Sequence, residues 1–191
     1  MKKLFLIVVC ATALVSANAQ VKFGLKAGAN FASITDGDGL KSKIGINGGV
    51  QVAMALNEMF SVNPEAVYSA QGAKADEGDG SLNLNYINVP VLLQYNNPSG
   101  FFAHTGPQVG FLMSAKAKAG GEEQDMKEFM NSTDFGWVVG LGFATQSGFG
   151  FNARYNIGLS KLDKEGEGSS KNSVIQAGIF YNFGGAAASK K

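Results

Sequence analysis

Residues 135–160 read FGWVVGLGFATQSGFGFNARYNIGLS, and taking every second residue separates two faces. One face carries Phe135, Trp137, Val139, Leu141 and Phe143. Beyond Gln146, Ser147 and Gly148 it continues with Phe149, Phe151, Ala153, Tyr155, Ile157 and Leu159. The other face carries Asp134, Gly136, Gly140, Gly142, Gly150, Asn152, Arg154, Asn156, Gly158 and Ser160. A period of two on both sides of a tight turn is the pattern of a β-hairpin. Its apolar face is continuous and aromatic at the ends, whereas the opposite face is small and polar. A water-soluble hairpin rarely looks like this; one whose apolar side meets lipid does.

The same alternation runs outward in both directions. Upstream strands are expected over about residues 22–32, 43–56, 59–71, 82–95 and 101–115, and a last one over 172–183. Two prolines complicate the pattern. Pro64 lacks an N–H and predicts a bulge in the third strand. In the fourth strand Leu82, Leu84 and Tyr86 stand in one phase and Ile87, Val89, Val91, Leu93 and Tyr95 in the other. That predicts a one-residue slip before Pro90.

The connections alternate long, short, long, short, long, short, long. The four long ones (33–42, 72–81, 116–131 and 162–171) hold 12 of the 15 acidic residues, which places them on the outside and the tight turns in the periplasm. A helical turn is expected within 122–130. Phe23, Phe60, Tyr95, Phe101, Phe149 and Tyr181 fall near the short-turn ends, and Phe31, Tyr68, Tyr86, Phe135 and Trp137 near the other ends. These are the places for two interfacial girdles. The fold expected is all-β, an eight-stranded antiparallel up-and-down transmembrane β-barrel. A soluble lipocalin-like periplasmic carrier has the same periodicity with the faces inverted. An eight-stranded interior, however, has little room for Phe, Trp, Tyr and Leu from every strand at once.

Residues 1–19 read as a signal peptide: Lys2 and Lys3, an apolar run too short to cross about 30 Å of hydrocarbon as a helix, and Ala17-Asn18-Ala19 before Gln20. The barrel then occupies residues 20–183, and 184–191 form a short tail. Cys10 lies inside the apolar run, so the mature chain carries no cysteine and no thiol chemistry. Its charge is about −1 by formal count, which gives no reason to expect a nucleic-acid partner.

YINVPVLLQYNNPSGFFAHTGPQVGFLMSA (residues 86–115) resembles the tyrosine–proline strand and glycine-rich hairpin of the Bacteroidetes outer-membrane β-barrel family, often called PorT-like or porin-family. FGWVVGLGF, VKFGLKAGANFA and the closing strand with Tyr181 and Phe183 fit the same pattern. The resemblance spans essentially the whole mature chain. It implies an integral barrel of the Gram-negative outer membrane; it does not imply a shared biochemical role, because the family is defined by its barrel. A terminal strand ending in Phe looks like the signal read by the barrel-insertion machinery; here Phe183 is followed by eight more residues.

Candidate functional residues lie on the inward face. Lys26, Gln51, Glu65, His104, Gln108, Arg154 and Gln176 fall at similar heights counted from the short turns. A lone charge in a low-dielectric lumen is costly, so Glu65 is expected to pair with Lys26 or Arg154. Such a cluster plugs a narrow bore or gates it. His104, the only histidine, lies toward the periplasmic end, away from the outer mouth where a barrel enzyme keeps its nucleophile and base, so no catalysis is expected. Asp36, Asp38, Asp76 and Asp79 sit in glycine-rich loops without the 12-residue spacing of an EF-hand, and no metal or other cofactor is expected. The expected role is a membrane scaffold displaying four polar loops over a mostly plugged lumen. A narrow pore for ions or small solutes is the alternative. Expected partners are outer-membrane lipid, the insertion machinery and an extracellular partner for the loops.

Overall fold

The computed structural model describes residues 21–35, 39–164 and 170–183. The expected signal peptide, Asp36, Asp38, part of the fourth long connection and the expected tail lie outside the described residues. The strands are β1 (Val21–Thr35), β2 (Leu40–Ala55), β3 (Phe60–Ala75), β4 (Ser81–Asn96), β5 (Phe101–Ala119), β6 (Glu122–Asp125), β7 (Thr133–Ala144), β8 (Phe149–Gly158) and β9 (Lys171–Phe183). All pairings are antiparallel. The wall runs β1-β2-β3-β4-β5-β7-β8-β9, and β9 returns to β1 with Phe23 opposite Phe183 and Thr35 opposite Lys171. This closes an eight-stranded barrel with no free edge. The short β6 pairs only with the end of β5, from Lys116 opposite Asp125 to Ala119 opposite Glu122.

Alternation fixes the two faces. Phe23, Leu25, Ile44, Ile46, Phe101, Leu141, Phe151 and Ile179 are exposed on the outside, whereas Lys26, Asn30, Glu65, His104, Arg154 and Gln176 are buried within. Apolar outside and polar inside is stable only if the outside meets hydrocarbon. Among the described residues no helix is long and apolar enough to cross a membrane; the strands do the crossing. Two short turns are shaped by asparagine side chains. Asn57 Oδ1 accepts from the N–H groups of Met59 and Phe60, and Asn97 Oδ1 accepts from Ser99 N–H, as in Asx-turns.

Several expectations are corrected. Pro64 sits in an unbulged ladder. It stays opposite Val91, and the β2–β3 register is unchanged from Gln51–Glu65 to Met54–Val62; only the rungs between are missing. The missing N–H thus costs hydrogen bonds and leaves the register intact. There is no slip in β4 either, because β3 and β4 stay in one register from Phe60–Tyr95 to Lys74–Ser81. The slip is on β5, where Asn85 faces Ser114 but Tyr86 faces Leu112, leaving Met113 as the extra residue. A second irregularity lies between Ser42 and Asn47 on β2. With β4 in constant phase, Leu84 and Tyr86 point inward; Tyr86 is 1% exposed and belongs to no girdle. Phe31, Tyr68, Phe135 and Trp137 do face out at that rim. The third long connection is mostly the β5–β6 hairpin, followed by a 3-10 turn at Lys127–Phe129 inside the window where a helical turn was expected.

Candidate functional site: an ion cluster across the lumen

With eight strands in the wall, β8 stands four places from β3 and so faces it across the bore. Arg154 of β8 and Glu65 of β3 meet there: Nη1 donates to Oε2 over 2.7 Å. Lys26, from β1, donates to both carboxylate oxygens at 2.8 Å. Arg154 Nε also donates to Gln176 Oε1 of β9 at 2.5 Å. One carboxylate thus ties three strands, and a fourth joins through the glutamine. All four side chains are buried.

The cross-lumen span is possible because the surrounding inward positions are small. A Cβ on Gly140 would lie 2.5 Å from His104 Nε2 and 2.6 Å from Arg154 Cβ, so any side chain there forces its neighbours to shift. Glycine at this strand position is the space Arg154 occupies.

Toward the long connections an amide layer follows. Gln176 Nε2 donates to Asn30 Oδ1 at 2.8 Å, and Asn47 Nδ2 to the same oxygen at 2.7 Å. Asn30 Nδ2 donates to Ser69 Oγ at 2.9 Å and to Ala70 O at 2.8 Å. Gln71 reaches Ser69 Oγ at 2.8 Å and accepts from Asn172 Nδ2. Beyond this layer the bore ends in an apolar cap of Leu84, Tyr86, Leu112, Ala115, Met130 and Leu162. The cap is pinned from outside, since Asn131 Nδ2 donates to Lys161 O at 2.9 Å and Asp163 O at 3.1 Å.

Toward the short turns the lumen widens into a cavity of about 750 Å³, lined among others by Gln51, Asn63, Gln94, Asn182, Phe102 and Phe180, with Glu65 and His104 on its inner side. The lumen is therefore a vestibule with a blind end: charge first, then amides, then hydrocarbon.

Of the seven sequence-derived residues, Lys26, Glu65, Arg154 and Gln176 form one connected group. Gln51 is bonded instead to Asn182, Nε2 to Oδ1 at 2.7 Å. His104 Nε2 and Gln108 Oε1 have no partner among the described residues. His104 lies against Phe102, ring centroids 5.6 Å apart. Asn30, Asn47, Ser69, Gln71 and Asn172 also belong to the site, and the inward phase of polar residues on β1, β2, β3 and β9 carries that signal. Among the described residues no three or more His, Cys, Asp or Glu converge as a metal site.

A closed barrel with apolar outside, polar inside and a blocked bore is a membrane barrel of the small outer-membrane class. The model of the outer membrane protein beta-barrel domain matches residues 16–164. The chain belongs to that family, and its place is the outer membrane of a Gram-negative bacterium. Similar folds occur in neisserial surface protein A (TM-score 0.55, 16% identity, covering 87% of this chain and 99% of that one). Another is Ail, the attachment invasion locus protein of Yersinia pestis (0.53, 20%, 86% and 99%). OprG from Pseudomonas aeruginosa is a third (0.51, 14%, 87% and 97%). No match was found among curated proteins.

Proposed function

We propose that the protein is a non-enzymatic scaffold of the outer membrane that displays its four long connections outside the cell and carries no flux through its bore. The observation that carries this reading is the two-layer obstruction. The cross-lumen pairs of Glu65 block the middle, and the cap around Tyr86 and Leu84 blocks the rim of long connections. An eight-stranded bore filled by side chains leaves no continuous water path. A narrow pore for ions or small solutes is the second reading, favoured by the vestibule of about 750 Å³ on the other side. It requires both layers to move.

Within the family, the tyrosine–proline strand supports the finer placement among PorT-like, Bacteroidetes-type barrels. Residues 1–19 would be removed on export, and Phe183 at the end of β9 would be read by the insertion machinery despite the residues after it. Lipid around the exposed belt and a macromolecule at the loops are the partners this role needs.

Orientation and role are tested together. Trypsin added to intact cells should cut in the β5–β6 hairpin, which holds Lys116 and Lys118, and the purified protein should give vesicles no ion leak. Protection of that hairpin in intact cells would reverse the orientation; a leak in the wild-type protein would favour the pore.

A further inference from the structure

We propose that the vestibule at the short-turn end of the barrel is a binding site for a neutral saccharide presented from the periplasm, taking a pyranose ring between an aromatic wall and an amide wall. The inference goes beyond the scaffold role and rests on the short turns facing the periplasm. At about 750 Å³ the cavity has the size of a small-molecule site, about 300–1,000 Å³.

One wall is aromatic, against the small and polar habit of the inward face. Phe102 of β5 and Phe180 of β9 both turn inward, and each stands beside a glycine: Phe102 faces Gly142 of β7, and Phe180 faces Gly150 of β8. A Cβ on Gly142 would lie 2.4 Å from Phe102 Cζ, and one on Gly150 would lie 2.3 Å from Phe180 Cζ. The two rings occupy that space with centroids 5.9 Å apart, and the His104 ring lies 5.6 Å from Phe102. Rings packed in this way are fixed before a ligand arrives, which removes part of the cost of binding it.

The facing wall is amide. In the wall order β2 and β3 stand four places from β7 and β8. There Asn63 Nδ2 donates to Gln94 Oε1 at 2.9 Å, Gln94 Nε2 to Asn96 Oδ1 at 2.7 Å, and Asn96 Nδ2 to Ser61 Oγ at 3.2 Å. The chain runs in one direction, so each member orients the next. Asn63 Oδ1 and His104 Nε2 are buried without a partner among the described residues, and both residues line the vestibule. At the inner end Glu65 Oε1 accepts one bond, from Lys26, where Oε2 accepts two. Buried polar atoms left unpaired are unfavourable, and a hydroxyl-bearing guest supplies what they lack.

Charge disfavours an ionic guest of either sign. Lys26 and Arg154 together outweigh Glu65 by one, which repels a cation. Neither of them lines the vestibule, however, and an anion would meet the Glu65 carboxylate instead. At the mouth Lys22 and Glu58 are opposite in sign. What the cavity offers is neutral hydrogen bonding beside aromatic surface. A hydrocarbon would leave the amides unpaired. A pyranose has hydroxyls that donate and accept, and a C–H face for the rings. Its source is a free sugar of the periplasm or the end of a cell-wall glycan strand.

The test is titration of the folded mature chain with maltose and with N,N′-diacetylchitobiose, in an amine-oxide detergent that carries no sugar headgroup. NMR reads the ring protons of Phe102, His104 and Phe180. A saturable shift of these resonances is expected; preference for diacetylchitobiose assigns the site to wall glycan, and preference for maltose to a free sugar. Asn152→Leu removes the amide that stands between Gly142 and Gly178 in the lining, and should weaken binding about tenfold. Phe180→Leu should do the same, and Gln124→Leu, in the β5–β6 hairpin, should change nothing. Persistence of the heat-modifiable gel band shows that each variant is folded. Three results would overturn the proposal: no saturable shift with either sugar, which leaves a vestibule for water only; wild-type affinity in both lining variants; or equal shifts from inorganic phosphate or a blocked alanine dipeptide, which make it a site for an anion or a peptide.

Discussion

Arg154 Nη1 stands 2.7 Å from Glu65 Oε2 on the opposite wall of the barrel, four strands away in either direction. The pair spans the bore, so it crosses the only route along which solute could travel. Lys26 adds a second cation to the same carboxylate, leaving a local excess of one positive charge, with Gln176 Oε1 turned toward the guanidinium.

Removing Glu65 leaves two buried cations without a counter-charge. Glu65→Ala should destabilise the barrel by about 3–5 kcal/mol, the usual cost of breaking a buried pair from one side. The urea midpoint for loss of the fast-migrating unboiled band measures it. Replacing Lys26, Glu65 and Arg154 together by Met, Leu and Met should cost much less, because no charge is then left unpaired.

The cap makes a separate prediction. Leu84 is fully buried beside Tyr86 in the plug at the rim of long connections. Leu84→Ala should cost about 2–5 kcal/mol through the cavity it opens. Taken singly, neither this change nor loss of the ion cluster should open a conducting path; combined, they should. Ion leak from vesicles carrying the three variants distinguishes two seals in series from one.

Gly140→Ala tests whether space for the cluster is the reason for the glycine. Its Cβ would collide with His104, Arg154 and Ala153 O at 2.5, 2.6 and 2.8 Å. Overpacking of this kind costs about 1–3 kcal/mol. The same substitution at Gly39, which has nothing within 4 Å, meets no such collision, although its positive φ gives alanine a backbone penalty of its own. A shift in the His104 ring resonances should accompany Gly140→Ala alone.

In the β5–β6 hairpin, outside the membrane, hydrogen bonds from Lys116 and then Lys118 hold the Glu123 carboxyl at about 2, below its ordinary value of 4.5. The folded value is depressed, so its contribution to hairpin pairing is full above the ordinary value and is lost as pH falls through about 2. The group is exposed, and salt should weaken the effect. Carboxyl NMR should show Glu123 titrating well below its ordinary value, and Lys116→Gln/Lys118→Gln should return it toward that value.

Much of the fold was legible because a period of two carries both strand identity and face. Phe135 to Phe143 and Phe149 to Tyr155 declare the lipid side without any knowledge of partners. Closure follows from eight strands joined by alternating long and short connections. Less legible was the rim. Tyr86 reads as an interfacial aromatic, yet alternation continued back from Asn88 places it inside. A slip before Pro90 is expected because Leu84 and Tyr86 stand out of phase with Ile87 and Val89, but that change of phase marks the apolar cap inside the barrel and no shift of register. At Pro64, likewise, a lost rung need not shift a register. The extra residue is Met113 on the neighbouring strand.

In the candidate site, the inward phase gave Lys26, Glu65 and Arg154, and strand order alone sets β3 opposite β8. The choice of partners at each height depends on stagger between strands, which alternation does not encode. Gln51 therefore meets Asn182, not the charges. Asn30 stands at the centre of the amide layer; its inward phase is legible on β1, but its partners Ser69 and Gln176 are set by the same stagger.

The most direct test of the closed lumen is single-channel recording of the folded mature chain in a planar bilayer. A lumen blocked by the Glu65 pairs and the Tyr86 cap predicts no conductance steps above the bare membrane. Steady openings in the wild-type protein whose size changes in Glu65→Ala would contradict it, and would make the ion cluster the lining of a pore.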